Sequence, residues 1–392
     1  MRIVICLLLL SPFFSNAQWT KQTSNTLEVL NNIHFVDNEH GYAVGNNGAM
    51  VATVTGGEDW LAVNTGLNSG QLTGVFFTDK HTGWICGTNG LLKRTRDYGA
   101  HWTTYNTGIS TYLSGIYFTS EKTGFVSGQN GIILKTNDSG NTWTKQVVST
   151  KNFINMHFRD PMNGYTCGGN STIFSTSNAG VTWDSMYSEP AGPALYGINF
   201  INDKIGYSVG EYGTILKTMD GGATWVKQKS GLTKSLYSVH FLDSLNGWVA
   251  SNQLDSILKT TDGGKNWVAS SLNYTNGYYC VYFPTKNIGF IAGKDGAIFK
   301  LDNSLDLKVH RKIIVGVETY PNPVAEYLNI KSTTEIIGYA LYDVFGKRLE
   351  SKDFNQGDFH LTLDLKDYIN GNYILEINCE GVLKREIIVI YR

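Results

Sequence analysis

Residues 206–225 read GYSVGEYGTILKTMDGGATW, and variants of this stretch recur along most of the 392-residue chain. Its last residue belongs to a tryptophan series with intervals of 41, 42, 41, 40, 42 and 42 residues: Trp19, Trp60, Trp102, Trp143, Trp183, Trp225 and Trp267. A glycine series keeps step with it: Gly41, Gly83, Gly124, Gly164, Gly206, Gly247 and Gly289. In-phase repetition at this period indicates stacked copies of one structural unit.

Each copy contains four strand-like segments. In the fifth copy they are YGINF, GYSVG, TILKT and TWVKQ, separated by turns rich in Asn, Asp and Gly. Their apolar residues alternate by two, whereas a helical repeat would space them by three or four. Four strands in about 40–45 residues is the pitch of a β-propeller blade. The last copy lacks a fourth strand, which residues 19–22 (WTKQ) can supply. The sequence therefore predicts an all-β, seven-bladed β-propeller over residues 18–303, closed by its N-terminal strand.

The turn before each tryptophan has a structural explanation. Its aspartate can accept backbone N–H bonds within the turn, and its glycines permit positive φ. The tryptophan that follows can pack between neighbouring sheets. We interpret the following residues as structural rather than catalytic: Asp97, Trp102, Asp138, Trp143, Trp183, Asp220, Trp225, Asp262 and Trp267.

These repeats resemble Asp-box, or bacterial neuraminidase, repeats. The fuller pattern, F-x-D followed by G-Y-x-V-G-x-x-G-x-I-L-K-T-x-D-G-G-x-T-W, resembles the photosystem II assembly and stability factor propellers of plants and cyanobacteria. The resemblance implies the fold but leaves function open, because such blades serve binding proteins and glycosidases alike. Those factors are thought to use a basic patch. No counterpart is found here, since the propeller contains only Arg94, Arg96 and Arg159.

The first 17 residues have the pattern of a signal peptide. Arg2 is followed by an apolar run from Ile3 to Phe14 and then by small residues, which predicts cleavage between Ala17 and Gln18. The run is shorter than the roughly 20 apolar residues of a membrane anchor. We expect an exported protein with no membrane span after cleavage.

A different pattern begins after Lys300. A linker at residues 304–317 leads into residues 318–392, whose short alternating strands predict a small β-sandwich. The segments YPNP, LYDVFGK and GNYILEI, with the basic pair Lys384 and Arg385, resemble the type A sorting domain of the type IX secretion system. The resemblance implies a Bacteroidota-like origin, the type IX machinery as a partner, and translocation across the outer membrane to the cell surface or medium after Sec export.

Charge and motif content argue against several other classes. The chain has 32 Lys+Arg and 33 Asp+Glu, a net charge of −1, whereas a nucleic-acid-binding protein needs a basic face. No phosphate loop or dinucleotide fingerprint occurs. His34, His157 and His240 share one repeat position in separate blades, so we interpret that position as packing between blades rather than as a metal site. We predict no metal, no cofactor, no nucleic acid and a monomer.

Catalysis has little support in the sequence. The repeats' sialidase relatives use an arginine triad and an Arg-Ile-Pro type start, but this chain has no Arg-Ile-Pro. Other glycoside hydrolases need two carboxylates about 5–10 Å apart. The carboxylates in loops between second and third strands, Glu211, Asp255 and Asp295, belong to separate blades. We predict that the protein is not an enzyme.

One rim of the propeller remains as a candidate binding face, where the loops between second and third strands meet the loops that join blades. Amides and aromatic rings there suit either sugars or a polar protein interface. Asparagine also makes good turns, so that explanation stays open. The candidate residues are Asn47, Asn89, Asn130, Asn170, Tyr212, Gln253, Asp295, Tyr112, Tyr196 and Tyr237, with Phe153 and Tyr278 as further blade-joining aromatics.

The sequence thus predicts a secreted or cell-surface propeller that binds a glycan or an envelope protein without catalysis. Two alternatives stay open. One is a protein-assembly scaffold like the photosystem II factors, and the other is a glycoside hydrolase, sialidase-like or not, that uses the propeller rim.

Overall fold

The computed structural model describes residues 19–252, 256–272, 274, 276–303, 317–344, 346–379 and 382–392. Within these ranges, residues 20–302 form seven four-stranded antiparallel sheets, and residues 317–390 form one five-stranded sheet. The predicted all-β, seven-bladed propeller is confirmed.

The strands follow one order in every blade, from the centre of the ring outward. Strand β1 (Thr20–Gln22) is the outer strand of blade 7. Blades 1 and 2 comprise β2 (Leu30–Phe35), β3 (Gly41–Gly45), β4 (Met50–Thr53), β5 (Leu61–Ala62), then β6 (Leu72–Phe77), β7 (Gly83–Gly87), β8 (Leu92–Thr95) and β9 (Thr103–Thr104). Blades 3 and 4 comprise β10 (Leu113–Phe118), β11 (Gly124–Gly128), β12 (Ile132–Thr136), β13 (Thr144–Val147), then β14 (Phe153–Phe158), β15 (Gly164–Gly168), β16 (Thr172–Thr176) and β17 (Asp184–Tyr187). Blades 5 and 6 comprise β18 (Leu195–Phe200), β19 (Gly206–Gly210), β20 (Ile215–Thr218), β21 (Val226–Gln228), then β22 (Leu236–Phe241), β23 (Gly247–Ser251), β24 (Ile257–Thr260) and β25 (Val268–Ser270). Blade 7 comprises β26 (Tyr278–Tyr282), β27 (Ile288–Gly293), β28 (Ile298–Asp302) and β1.

The ring closes through the N-terminal strand, as the sequence predicts. Strand β1 pairs antiparallel with β28, and Lys21 lies opposite Phe299. Trp19 contacts Phe283 edge to face, with ring centroids 6.0 Å apart. Each of the other six tryptophans makes the same contact with the phenylalanine of its own blade. Closure pairs an edge that would otherwise be open to other chains.

The seam between neighbouring blades explains why glycine and tryptophan recur in phase. The glycine that opens each second strand faces the phenylalanine at the end of the first. A Cβ on Gly83 would lie 2.4 Å from the Phe77 ring, so no larger residue fits without rearrangement. The aromatic residue after that glycine stacks on the next blade's phenylalanine, as Tyr42 does on Phe77 at 3.5 Å. Trp102 then meets Phe77 edge to face at 6.3 Å.

This seam cluster is present at all seven blade junctions. The stacked or tilted pairs are Tyr42–Phe77, Trp84–Phe118, Phe125–Phe158, Tyr165–Phe200, Tyr207–Phe241, Trp248–Phe283 and Phe290–Phe35. The last pair joins blade 7 to blade 1, so the hydrophobic packing is continuous around the ring.

The turn before the tryptophan is stabilised by hydrogen bonds among its own residues. In blade 3, Asp138 Oδ1 accepts the Thr142 N–H at 2.9 Å, and Thr136 Oγ1 accepts the Gly140 N–H at 2.8 Å. The hydroxyl of Thr142, its N–H and the hydroxyl of Thr136 all donate to Asp138 and lower its pKa to about 2, and the corresponding bonds lower the pKa of Asp220 and Asp262. Asp97 lies in the corresponding turn of blade 2, where its Oδ1 accepts the His101 N–H. Bonds within the turn occupy these carboxylates.

The C-terminal residues form one strongly bent sheet. Strands β29 (Val317–Tyr320), β30 (Tyr327–Asp343), β31 (Arg348–Asp364), β32 (Gly371–Cys379) and β33 (Val382–Ile390) make it up, and the register shifts where β30 passes from Lys331 to Ile336. Residues from both halves of β30, such as Leu328 and Leu341, share one buried core. The layers of the small sandwich are therefore two parts of a single folded sheet.

Candidate ligand-binding site

The predicted rim residues lie on the upper face, which carries the loops between second and third strands and the loops that join blades. Six of them occupy the same left-handed turn position: Asn47 (φ 53°), Asn89 (57°), Asn130 (57°), Asn170 (57°), Tyr212 (55°) and Asp295 (52°). Asn and Asp adopt this conformation more readily than other non-glycine residues. The turn alone therefore accounts for the four asparagines and the aspartate. Gln253, like Asp255, lies outside the described residues.

Several of these side chains bond to the adjacent loop that joins two blades. The Asn47 amide donates to Glu28 Oε2 at 3.0 Å, and the Asn170 amide donates to the Pro190 carbonyl at 2.8 Å. Asp295 accepts a hydrogen bond from Asn276. These groups stabilise the loops and are less available to a ligand than the sequence suggests.

Tyr212 is the exception at this position. Its backbone has the left-handed conformation although its side chain is large, and 75% of the residue is exposed. Such an arrangement is strained, and strained residues are frequent at functional sites.

The inner strands enclose a cavity of about 440 Å³ below the upper face. Its lining is mostly small and polar on the side of blades 1 to 4, where Asn31, Thr73 and Ser114 are the second residues of their strands. The second residues of β18, β22 and β26 are instead Tyr196, Tyr237 and Tyr279. We call these three residues the tyrosine wall.

The rings of the tyrosine wall contact one another in sequence. Tyr196 and Tyr237 are parallel, with centroids 4.9 Å apart and 7° between their planes. Tyr237 and Tyr279 meet edge to face at 4.7 Å and 66°. The wall is therefore one continuous aromatic surface across three blades.

Glu211 anchors one end of this wall. The Tyr196 hydroxyl donates to its Oε1 at 2.8 Å, and the Ala194 N–H donates to its Oε2 at 3.0 Å. Burial raises the pKa of Tyr196, and the bond to Glu211 raises it further, so the hydroxyl remains a donor. The position of the carboxylate is fixed by two donors.

Tyr112, Tyr196 and Tyr237 all line the cavity, but the other two predicted aromatics do not. Phe153 and Tyr278 are fully buried because they are the first residues of their strands, which point into the blade. Sequence reasoning missed Tyr279. Aligning β26 with β18 and β22 places Tyr279, not Tyr278, beside Tyr196 and Tyr237.

A belt of side chains lies deeper in the channel, at the fifth residue of each inner strand. Its members are His34, Phe76, Tyr117, His157, Asn199, His240 and Tyr282. The ring centroids of His34 and Phe76 are 4.4 Å apart. Below the belt, a second cavity of about 310 Å³ opens on the lower face and shares no lining residue with the upper one.

The histidines of the belt hold neighbouring blades together. His34 Nδ1 accepts the Phe77 N–H of the next blade, and His157 Nδ1 accepts that of Phe200, both at 3.3 Å. Asn199 makes the equivalent bond to the Phe241 N–H. Among the described residues, no group of three or more His, Cys, Asp or Glu side chains could hold a metal ion.

Comparison with known families gives two matches. The family described as "Photosynthesis system II assembly factor YCF48" matches residues 11–104, 60–152 and 188–277, which together cover more than half of the chain. The protein belongs to the YCF48 family. The second family, "Secretion system C-terminal sorting domain", matches residues 318–390 and indicates export by type IX secretion to the cell surface or the medium. No curated protein matches the chain.

Solved structures of YCF48 share the fold of this family member. "YCF48 bound to D1 peptide" has a TM-score of 0.64 and 19% identity, covering 75% of this chain and 98% of that one. "YCF48 from Cyanidioschyzon merolae" has a TM-score of 0.62 and 20% identity, covering 74% and 100%. The GH74 xyloglucanase from Xanthomonas campestris has a TM-score of 0.59 and 11% identity, covering 82% and 60%. At these identities the similarity concerns the fold alone.

The protein is thus a YCF48-family propeller joined to a secretion-sorting domain, a combination that makes it a secreted propeller module. No helix in the described part of the chain has the length and hydrophobicity needed to cross a membrane. The predicted signal peptide and its cleavage site at Ala17 and Gln18 lie outside the described residues.

Proposed function

We propose that this secreted YCF48-family propeller is a non-catalytic module that binds a peptide segment of a surface or envelope protein in its upper cavity. The observation that carries the proposal is the tyrosine wall. Six of the seven blades have the same left-handed turn on the upper face. At the second residue of the inner strand, which faces the cavity, three consecutive blades nevertheless have tyrosine where blades 1 to 3 have asparagine, threonine and serine. Tyrosine provides a large, rigid contact area with a polar tip, as protein interfaces favour.

The opposite side of the cavity suits a peptide backbone. Asn31, Asn155 and Gln71 supply amides, and Thr73 and Ser114 supply hydroxyls. The Asn31 and Gln71 amides already donate to Asn46, and the Thr73 hydroxyl donates to the Leu113 carbonyl, so these groups offer a ligand chiefly their acceptor oxygens. Such oxygens can pair with the N–H groups of a peptide. One YCF48 structure is described as bound to a D1 peptide, which supports a peptide as the class of ligand in this fold.

A glycan is supported less well. The rim asparagines were the main reason to expect one, and Asn47 and Asn170 bond to the adjacent blade-joining loops. The glycan therefore becomes the alternative that the experiment must exclude.

A hydrolase is also supported less well. Two carboxylates must flank the scissile bond, one as acid and one as base or nucleophile. Glu211 is held by Tyr196 and Ala194, and Asp295 by Asn276, in blades that are not adjacent. We propose that neither is catalytic.

The proposal is tested by probing an array of overlapping peptides from the producing bacterium's exported and outer-membrane proteins with the purified protein. We expect a small number of peptides to bind, and Tyr237→Leu to weaken them at least about tenfold, since a central aromatic anchor is lost. Tyr391→Leu is the matched control, because Tyr391 is 72% exposed in the C-terminal domain. A glycan array is probed in parallel. Selective sugar binding with a blank peptide array would overturn the proposal.

A further inference from the structure

The tyrosine wall differs chemically from the rest of the upper cavity. None of the thirteen residues that line the cavity carries a charge. The carboxylate of Glu211, bonded directly to Tyr196, therefore gives this wall a negative charge that no lining residue balances. Lys234, in the adjoining blade-joining loop, is exposed at the rim and does not line the cavity.

The geometry of the rings adds to this charge. Because Tyr237 and Tyr279 meet at 66°, their two rings form a corner rather than a flat surface. The face of an aromatic ring is electrostatically negative, and a cation within about 6 Å of the ring centroid is attracted to it. A corner of two rings, with a carboxylate bonded to Tyr196 at the end of the same wall, has the composition of a cation-binding aromatic cage.

The arrangement is also preorganised. Tyr196 is fixed by its bond to Glu211 and by stacking on Tyr237, which in turn contacts Tyr279. A ligand would not need to order these side chains, so little conformational entropy is lost on binding.

We infer that the tyrosine wall and Glu211 together bind a cationic group, the ammonium or guanidinium of a lysine or arginine side chain in the peptide ligand. This inference rests on the proposed function and specifies its ligand. The cation lies against the rings of Tyr237 and Tyr279 and is balanced by the Glu211 carboxylate. The uncharged amides and hydroxyls opposite it hold the adjoining peptide backbone.

The test uses choline and its uncharged isostere 3,3-dimethylbutan-1-ol, titrated separately into the purified protein and followed by NMR. Because the two probes have the same shape, a difference between their affinities reports the effect of the charge. We expect choline to bind with an affinity at least about fivefold higher than the isostere, as a partly desolvated cation–π contact provides. Glu211→Gln keeps the side-chain shape and should reduce choline affinity several-fold, while Tyr391→Leu should leave it unchanged.

Tyr279→Leu should abolish the preference for choline, and a melting curve shows whether this variant is folded. Equal binding of the two probes, no binding of choline, or choline binding unaffected by Glu211→Gln would each overturn the inference. The peptide array distinguishes failure of this inference from failure of the proposed function. If peptides bind and depend on Tyr237 without any preference for lysine or arginine, the proposed function stands and the inference fails. If no peptide binds, the proposed function itself fails.

Discussion

The seams between blades and the wall of the central channel are made from the same repeat, but they vary in different ways. At every seam an aromatic ring is stacked on or tilted against the phenylalanine of the next blade. A tryptophan contacts the same phenylalanine edge to face. The second residue of the inner strands, in contrast, changes from asparagine, threonine and serine to isoleucine and then to three tyrosines.

The difference separates two kinds of constraint. A residue that each blade needs for packing recurs in each blade, because all seams have the same geometry. A residue that contacts a single ligand in the channel is needed only on the side where the ligand lies. In this propeller, repetition therefore marks stability, and departure from repetition marks the candidate site.

The largest effect should come from breaking a seam. Trp143 contacts Phe118 edge to face at 6.1 Å and Trp84 of the preceding blade at 5.5 Å. Because Trp143 is partly buried, we expect Trp143→Ala to lower the free energy of unfolding by about 3 kcal/mol, the lower end of the range for large-to-small changes of buried aromatics. Chemical denaturation measures this value.

The comparison is sharpened by Tyr237→Ala, which removes a ring from the channel wall instead. We expect this change to cost about 1–2 kcal/mol, because the ring borders an open cavity and little new void is created. If both variants lost equal stability, the distinction between seam and wall would be wrong.

The sequence was sufficient to predict the seams, but only two of the three residues of the wall, Tyr196 and Tyr237. Glycine, phenylalanine and tryptophan at fixed offsets predicted seven blades and closure by residues 19–22, because each offset reports a packing need that every copy shares. The rim asparagines do not single out a binding side, since a turn with positive φ favours them in four blades. Tyr279 was missed because its neighbour Tyr278 is also a tyrosine, and only the strand register separates the lining residue from the buried one.

A further prediction concerns the stability of the propeller at acidic pH. Burial lowers the pKa of His34 to about 3 and that of His157 and His240 to about 4, against an ordinary value of 6.5. The unfolded chain therefore binds more protons than the folded one below pH 6.5, so stability is full above that pH and falls as the pH drops toward 4. Since these rings border the channel, we expect a loss of about 1–2 kcal/mol per histidine. Urea unfolding between pH 7.5 and 4 measures it.

The matched control comes from blade 5, where Asn199 accepts the same interblade bond without titrating. The variant His34→Asn/His157→Asn/His240→Asn should have a much flatter stability profile over this pH range. The turn aspartates have pKa values lowered to about 2, so their protonation reduces stability only below pH 3.8 and does not contribute between pH 7.5 and 4. They are Asp138, Asp220 and Asp262. An unchanged slope in the triple variant would refute the role of the histidines.

The smallest effect, and the one that tests the comparison most directly, is at Tyr212. Here a departure from repetition carries a measurable cost, because a tyrosine takes the left-handed position that asparagine holds in four sister blades. Tyr212→Asn should raise the free energy of unfolding by about 0.5–1 kcal/mol, since the strain is relieved and only an exposed ring is lost. The reverse change, Asn130→Tyr in blade 3, should lower stability by a similar amount. If Tyr212 was selected for binding, Tyr212→Asn should also weaken the array peptides, whereas Asn130→Tyr should not strengthen them. A stabilised variant with unchanged peptide binding would place Tyr212 outside the site and confine the ligand to the cavity and its tyrosine wall.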